Sequence, residues 1–495
     1  MKRIALFLFT HILLFSGPVV ASPYVIDLLI RDVRIVSPHI PFSGEKSDVL
    51  LRNGTIHLIG KAARSEGADS AKIIDAEGMF LLPGLIDGHT HLNEIPGMTF
   101  AHEEEFPEIA KAARRQIPRS YLYHGFTSLV DLNSEPNAIA QWNNRDIRPQ
   151  AYFCGAAPVF DGYPMSFMPK PLRYQIMPYF LFDDNRAGDF PAGFSPDAHS
   201  PTNVVSRIKN DGGICVKTHY ERGFGGRGDL PVPGVDLVKE LIAAAHKDDL
   251  PVLLHANSQS SQNFGVEAGV DAFAHGMWTW DERQAREMND ARREIIDSAF
   301  AKGIALQPTI QVLYGEQDIH NPEYLDDPRL RKVLPQSLID WYATEPGQWW
   351  RKRMLNIPIV AELVEKGLWA ELDEPPIARV SAALGYFSKQ EGQLLFGSDT
   401  PSDPTFANPP GLNGRLEMNN WIAAGVSLEQ LFHSLTINNA KFFGLYEQIG
   451  SVEQGKRADL LLTSQNPLTS VSAYDSIQQV ILGGILLDRA SLQAQ

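Results

Sequence analysis

Six residues of metal-binding or proton-handling type stand where short apolar runs give way to loops: His89 and His91, Lys217, His255, His275 and Asp399. His89 and His91 lie in LPGLIDGHTHLN, residues 82–93. Side chains of a strand alternate between its faces, so the two imidazoles project to one side. Imidazole nitrogens and a carboxylate suit Zn²⁺ or a similar first-row ion. Lysine is no ordinary ligand, because its ammonium has no lone pair. Lys217 must therefore be a charge partner or be modified. A bare His-x-His can equally be two imidazoles satisfied in a core. Six such residues, each closing an apolar run, argue instead for a divalent-metal site.

Residues so placed need a scaffold that gathers strand ends. Short apolar runs at 85–91, 126–132, 151–154, 214–217, 252–255, 272–275, 304–309 and 394–399 alternate with helical patterns. Residues 235–247 put Leu237, Val238, Leu241, Ile242 and Ala245 on one helical face. A second long helix is expected over 281–302, and Ser427 with Gln430 forms a capping box that opens a third, to about Phe443. Eight such units predict an α/β fold, a (β/α)8 barrel with its site at the C-terminal strand ends. Two connections, 158–200 and 311–392, are far longer than usual. Each reads as a substrate lid, or else as surface decoration or a dimer contact. At the chain ends, 24–36, 48–59, 72–82, 458–462 and 476–487 alternate apolar and polar residues, with Asn53-Gly54 as a hairpin turn. They predict a small β-sandwich made from 22–83 and 445–495, with the barrel inserted as 84–444.

Residues 1–21 have the form of an export signal: Lys2 and Arg3, an apolar run over 4–15, then small residues before Ser22. That run is too short to span a bilayer. The mature protein is expected to be periplasmic or secreted. The chain of 495 residues carries a net charge of −15, and loss of Lys2 and Arg3 makes it more acidic. This argues against nucleic acid or a stable membrane insertion, and leaves a small molecule as the expected partner. Self-association into a homo-oligomer stays open. Cys154 and Cys215, the only cysteines, can pair in an oxidising compartment, but buried thiols are the expectation. A cysteine-based zinc site is excluded by the count.

With these residues in view the chain resembles the amidohydrolase superfamily over nearly its whole length after the leader. PGLIDGHTH matches that family's first-strand motif, GSVEQGKRADLLLT (450–463) its C-terminal sandwich signature, and LTINNAKFFGL (435–445) the helix before it. The order Lys217, His255, His275, Asp399 is most similar to the binuclear, prolidase-like branch. The resemblance implies two divalent metal ions, most often zinc. His89, His91 and Asp399 would hold one and His255 and His275 the other, bridged by Lys217 carrying a carbamate made from CO2. It implies hydrolysis of an amide or peptide-like C–N bond, in a dipeptide or N-acyl amino acid, by a metal-bridged hydroxide, with Asp399 as the catalytic acid–base. Lactone, ester or phosphotriester hydrolysis on the same centre is the alternative. A non-catalytic scaffold is disfavoured by six intact ligands. Asp87 falls too far back in its motif for the acid–base role and is expected to support the site. Tyr220, Arg222 and Tyr163 are candidate substrate contacts. The relatives often carry a histidine after strand three, where this chain has Ala156-Ala157-Pro158-Val159-Phe160.

Overall fold

The computed structural model describes residues 26–69, 71–224, 228–282, 285–402 and 404–495. The leader expected over 1–21 lies outside them. Among the described residues no helix is long and apolar enough to cross a membrane.

The chain ends meet in one sheet. From the N-terminal side come β1 (Leu28–Ile35), β2 (Lys46–Arg52), β3 (Thr55–Ile59), β4 (Lys72–Asp75) and β5 (Phe80–Pro83). Between β2 and β3, Asn53 (φ 51°) and Gly54 (φ 76°) make the turn, a left-handed pair that closes hairpins with the right twist. The C-terminal side supplies three further strands, described here as the last in the chain: residues 460–463, 477–482 and 485–488. All eight strands share one hydrogen-bonded sheet, mostly antiparallel, and β5 is the seam, pairing with β1 on one edge and with 460–463 on the other. Leu28, Ile30, Val49, Leu81, Leu460 and Ile481 share one core, so the two chain ends bury each other's apolar surface.

Between them runs a second, parallel sheet: β6 (Leu85–Thr90), β7 (Phe126–Asp131), β8 (Gln150–Ala156), β9 (Cys215–His219), β10 (Val252–His255), β11 (Ala272–Ala274) and β12 (Ala305–Gln307), paired in chain order. The last three strands, 460–463, 477–482 and 485–488, are then β13, β14 and β15. The parallel sheet curls, because Ile86, Val130, Cys154, Cys215, Leu253, Ala272, Ala305 and Leu395 meet in one buried cluster on its inner face. The eighth run, 394–399, is not a regular strand. It makes single bridges instead, Leu306 with Leu394 on one edge and Thr90 with Thr400 on the other. Hydrogen bonds continue these contacts, from Leu395 N to Leu306 O (3.0 Å) and from Gly88 N to Phe396 O (2.9 Å).

Helices cover the outer face. Val235–Lys247 forms as its apolar periodicity requires, burying Val238, Leu241, Ile242, Ala244 and Ala245, while Leu237 is only partly buried. The second helix is shorter than its sequence suggests. It starts at Asp290, where Asn289 caps it by accepting from Arg292 N (3.1 Å). The Ser427 capping box is present, and the helix Leu428–His433 then widens into a π turn, Ser434–Asn438, before resuming at Asn439. Such wide turns recur near functional sites. Here Asn439 Nδ2 donates to Ile86 O (3.0 Å) and Phe396 O (2.8 Å), lashing β6 to the 394–399 segment.

Cys154 and Cys215 are joined in a disulfide, which corrects the expectation of two free thiols. They are direct partners across β8 and β9, with Cα atoms 4.4 Å apart. That register brings the sulfurs within bonding reach, although the residues stand 61 apart in sequence.

Candidate metal centre

The six strand-end residues converge at one mouth of the curled sheet. His89 lies in β6 and His91 just beyond it, Lys217 in β9, His255 at the end of β10, His275 just past β11, and Asp399 at the end of the closing segment. His89, Lys217, His255, His275 and Asp399 are buried, while His91 is partly exposed. Asp399 is the hub. Its Oδ1 lies 3.1 Å from His89 Nε2 and 3.0 Å from His91 Nε2, and its Oδ2 is 3.6 Å from His275 Nδ1. One ligand atom from each of His89, His91 and Asp399 falls within 4.8 Å of the others, a spacing that can hold a metal ion. His275 extends the cluster, its ring centroid 5.1 Å from His89 and 4.5 Å from His255.

Left-handed backbone shapes two of the candidate ligands. His275 (φ 81°) and Asp399 (φ 54°) adopt left-handed conformations that branched or bulky side chains rarely accept. Hydrogen bonds hold both, from His275 N to Gln307 O and from Asp399 N to His89 O, each 2.8 Å. Gly397 permits the close approach: a Cβ there would sit 2.6 Å from His89 Cβ and from Gln307 Cδ. Asp87, in line with its expected supporting place, accepts from Ser398 N (2.9 Å), Ser398 Oγ (2.5 Å) and His89 N (3.2 Å). It thus fixes the strand that carries the histidines to the segment that carries Asp399. Burial pushes the Asp87 carboxyl up to about 7.

The donor set fits a cation. Gln307 Nε2 donates to Gly88 O (3.1 Å), so its Oε1 must accept from His89 Nδ1 (2.8 Å). That assigns the His89 proton to Nδ1 and leaves a lone pair on Nε2. Burial also holds the ring neutral, lowering it to about 3. A bare Nε2 facing a carboxylate oxygen is repulsive until a positive charge lies between them. Burial works against the charged form of His91 too, yet the Asp399 carboxylate lifts it to about 9. Against the cost of burying its charge, Asp399 is held well below the usual carboxylate range, with the charged His91 ring 3.0 Å from its Oδ1. His255 Nε2 is buried with no hydrogen-bond partner, 3.6 Å from Glu221 Oε2. His275 Nδ1 is anchored by Thr309 Oγ1 at 2.8 Å. Desolvation brings the Lys217 amine down to about 7, and Asp399 is the charge that opposes this.

Of the three candidate substrate contacts, Tyr163 stands at the centre, its ring 4.7 Å from that of His255. Tyr220 packs on Phe264 at 4.5 Å, and the Arg222 guanidinium lies over the Tyr220 ring at 5.7 Å. Gln307, Thr309, Glu221 and His219 are close to the site without having been assigned to it from sequence. His219 was the most accessible of them, since it lies two residues after Lys217 on the same strand face.

A model of the Amidohydrolase family matches residues 80–321 and 375–487. The chain belongs to the amidohydrolase family. Among curated amidohydrolase relatives, the dihydroorotase of Syntrophus aciditrophicus is 34% identical over 120 residues, 24% of each chain. The match thus spans about a quarter of that relative's length. Two solved structures share the fold. A Xaa-Pro dipeptidase with bound methionine aligns with 93% of this chain and 100% of its own at TM-score 0.61 and 17% identity. A prolidase complexed with N-methylphosphonate-L-proline aligns with 94% and 100% at TM-score 0.62 and 16% identity.

Proposed function

We propose that this amidohydrolase is an exported, metal-dependent hydrolase that cleaves an amide or peptide-like C–N bond in a small molecule, a dipeptide or an N-acyl amino acid. The observation that carries the reading is the bare His89 Nε2 held against Asp399 beside a second imidazole. We assign His89, His91 and Asp399 to one divalent ion and His255 and His275 to another, with carbamylated Lys217 shared and zinc as the expected metal. The chemistry such a pair supplies when bound is Lewis acidity toward the carbonyl and a lowered pKa for water.

The protein's own groups do the rest. Asp399 stays anionic, and its Oδ2, turned away from His89 and His91, takes the proton of the attacking water and hands it to the departing nitrogen. Gln307 fixes the tautomer and aim of His89, and Thr309 aims the His275 ring. Tyr163 lies against His255 and shields that side from bulk solvent. In this reading the 394–399 segment occupies the eighth strand position of a (β/α)8 barrel spanning 84–444, supported by its bonds to β6 and β12. The flanking 22–83 and 445–495 form the small β-domain. Export is supported by the Cys154–Cys215 bridge, since structural disulfides persist in oxidising compartments.

Elemental analysis of purified protein beside Lys217→Ala is the test. About two first-row metal equivalents per chain, falling sharply in the variant, is the expected result. One equivalent insensitive to Lys217 overturns the bridged centre, and none under metal-replete conditions overturns the hydrolase reading.

A further inference from the structure

We infer that Tyr163, Phe167 and Phe224 form a shelf that selects substrates bearing an aromatic or bulky aliphatic side chain, a specificity that rests on the hydrolase reading above. The three rings come from two different loops, those following β8 and β9. Their centroids lie 5.8 Å (Tyr163–Phe167), 5.4 Å (Tyr163–Phe224) and 6.3 Å (Phe167–Phe224) apart. Phe167 is 58% exposed and Phe224 43% exposed. Single exposed apolar residues are ordinary. Two exposed phenylalanines gathered on a third ring beside a buried polar centre are not, because such a patch gains nothing from folding and marks a binding surface.

The shelf is continuous with the metal centre. Tyr163 is 4.7 Å from the His255 ring and 5.8 Å from that of His219. Both phenylalanines meet Tyr163 edge-on, at interplanar angles of 81° and 71°. Such T-shaped contacts leave ring faces open to a further ring or aliphatic chain. A scissile bond held at the His255 side would therefore lay the adjoining side chain across apolar carbon, where a charged one would lose its hydration without a partner.

Isothermal titration of the metal-loaded protein with L-phenylalanine and L-alanine, each a product of the proposed reaction, tests the shelf by binding alone. Phenylalanine binds at least about tenfold more tightly in the wild type. The Phe167→Ala/Phe224→Ala double variant, checked for unchanged metal content, brings that ratio below about threefold. An unchanged ratio in the variant, or no preference in the wild type (neither ligand binding included), overturns the shelf. So does a concentration-dependent dimer in sedimentation that the double variant abolishes, which would assign the rings to a protein interface. N-acetyl-L-phenylalanine and N-acetyl-L-alanine are assayed in parallel. Failure to hydrolyse either with the binding preference intact overturns the hydrolase reading alone. Hydrolysis of both without preference overturns the shelf alone.

Discussion

Gln307 is the residue on which the His89 assignment turns, although it is not itself assigned as a ligand. Its amide is oriented by Gly88 O, so only its oxygen is left for His89 Nδ1. Gln307→Leu removes the acceptor and frees the imidazole to rotate or change tautomer. Metal affinity should fall by about 10–100-fold in a chelator-competition titration. Gln307→Glu, which keeps an acceptor, should recover most of the loss, and equal affinity in all three proteins would refute the orienting role. Little of this was legible in the sequence. His89, His91 and Asp399 announce themselves because a strand alternates faces and a polar residue ends an apolar run. Gln307 ends such a run too, but its meaning depends on a partner 218 residues away. Glu221 is hidden for the same reason, its relation to His255 existing only once β9 and β10 lie side by side.

At the scale of elements, the links that position the site run between neighbours in space. The Cys154–Cys215 bridge ties β8 to β9 two residues before Lys217. Titrated in denaturant, both thiols should become reactive only after reduction. Cys154→Ala/Cys215→Ala should lose about 2–4 kcal/mol of stability, read from denaturant unfolding. A second link lies at the start of the long 311–392 connection, where Glu417 accepts from Ile310 N (2.9 Å), Gln311 N (2.6 Å) and Trp421 Nε1 (2.8 Å). Glu417→Gln turns one acceptor into a donor facing donors and should cost about 1–3 kcal/mol. Regular elements with strong patterns were readable in advance, as 235–247 and the Asn53-Gly54 hairpin show. Irregular ones were not. The 394–399 run has the composition of a buried strand, yet its backbone is bent by the left-handed Asp399 and bridges only singly. The 281–302 pattern gives a helix only from Asp290, where the Asn289 side chain caps it by accepting from Arg292 N. The pairing of the cysteines follows from strand register, which no spacing in the sequence supplies.

Over the whole molecule, the candidate metal centre joins the first strand of the curled sheet to its closing segment, because His89 and His91 lie in and just after β6 while Asp399 ends the segment that meets it. Ions bound there stabilise the native state but not the unfolded chain, in which the ligands are scattered. Chelation should therefore lower the Tm by several degrees, and His91→Ala should show a lower Tm that chelation hardly changes. An equal Tm with and without chelator would separate the centre from the stability of the sheet.

The small sheet imposes an order on biosynthesis. Its N-terminal strands leave the ribosome first, yet β5 has no partner on its outer edge until β13 emerges, with the whole of 84–459 made in between. An open strand edge is a template for pairing with other chains. Throughout that interval the nascent protein is exposed to association with its neighbours, and final closure waits on the last few dozen residues.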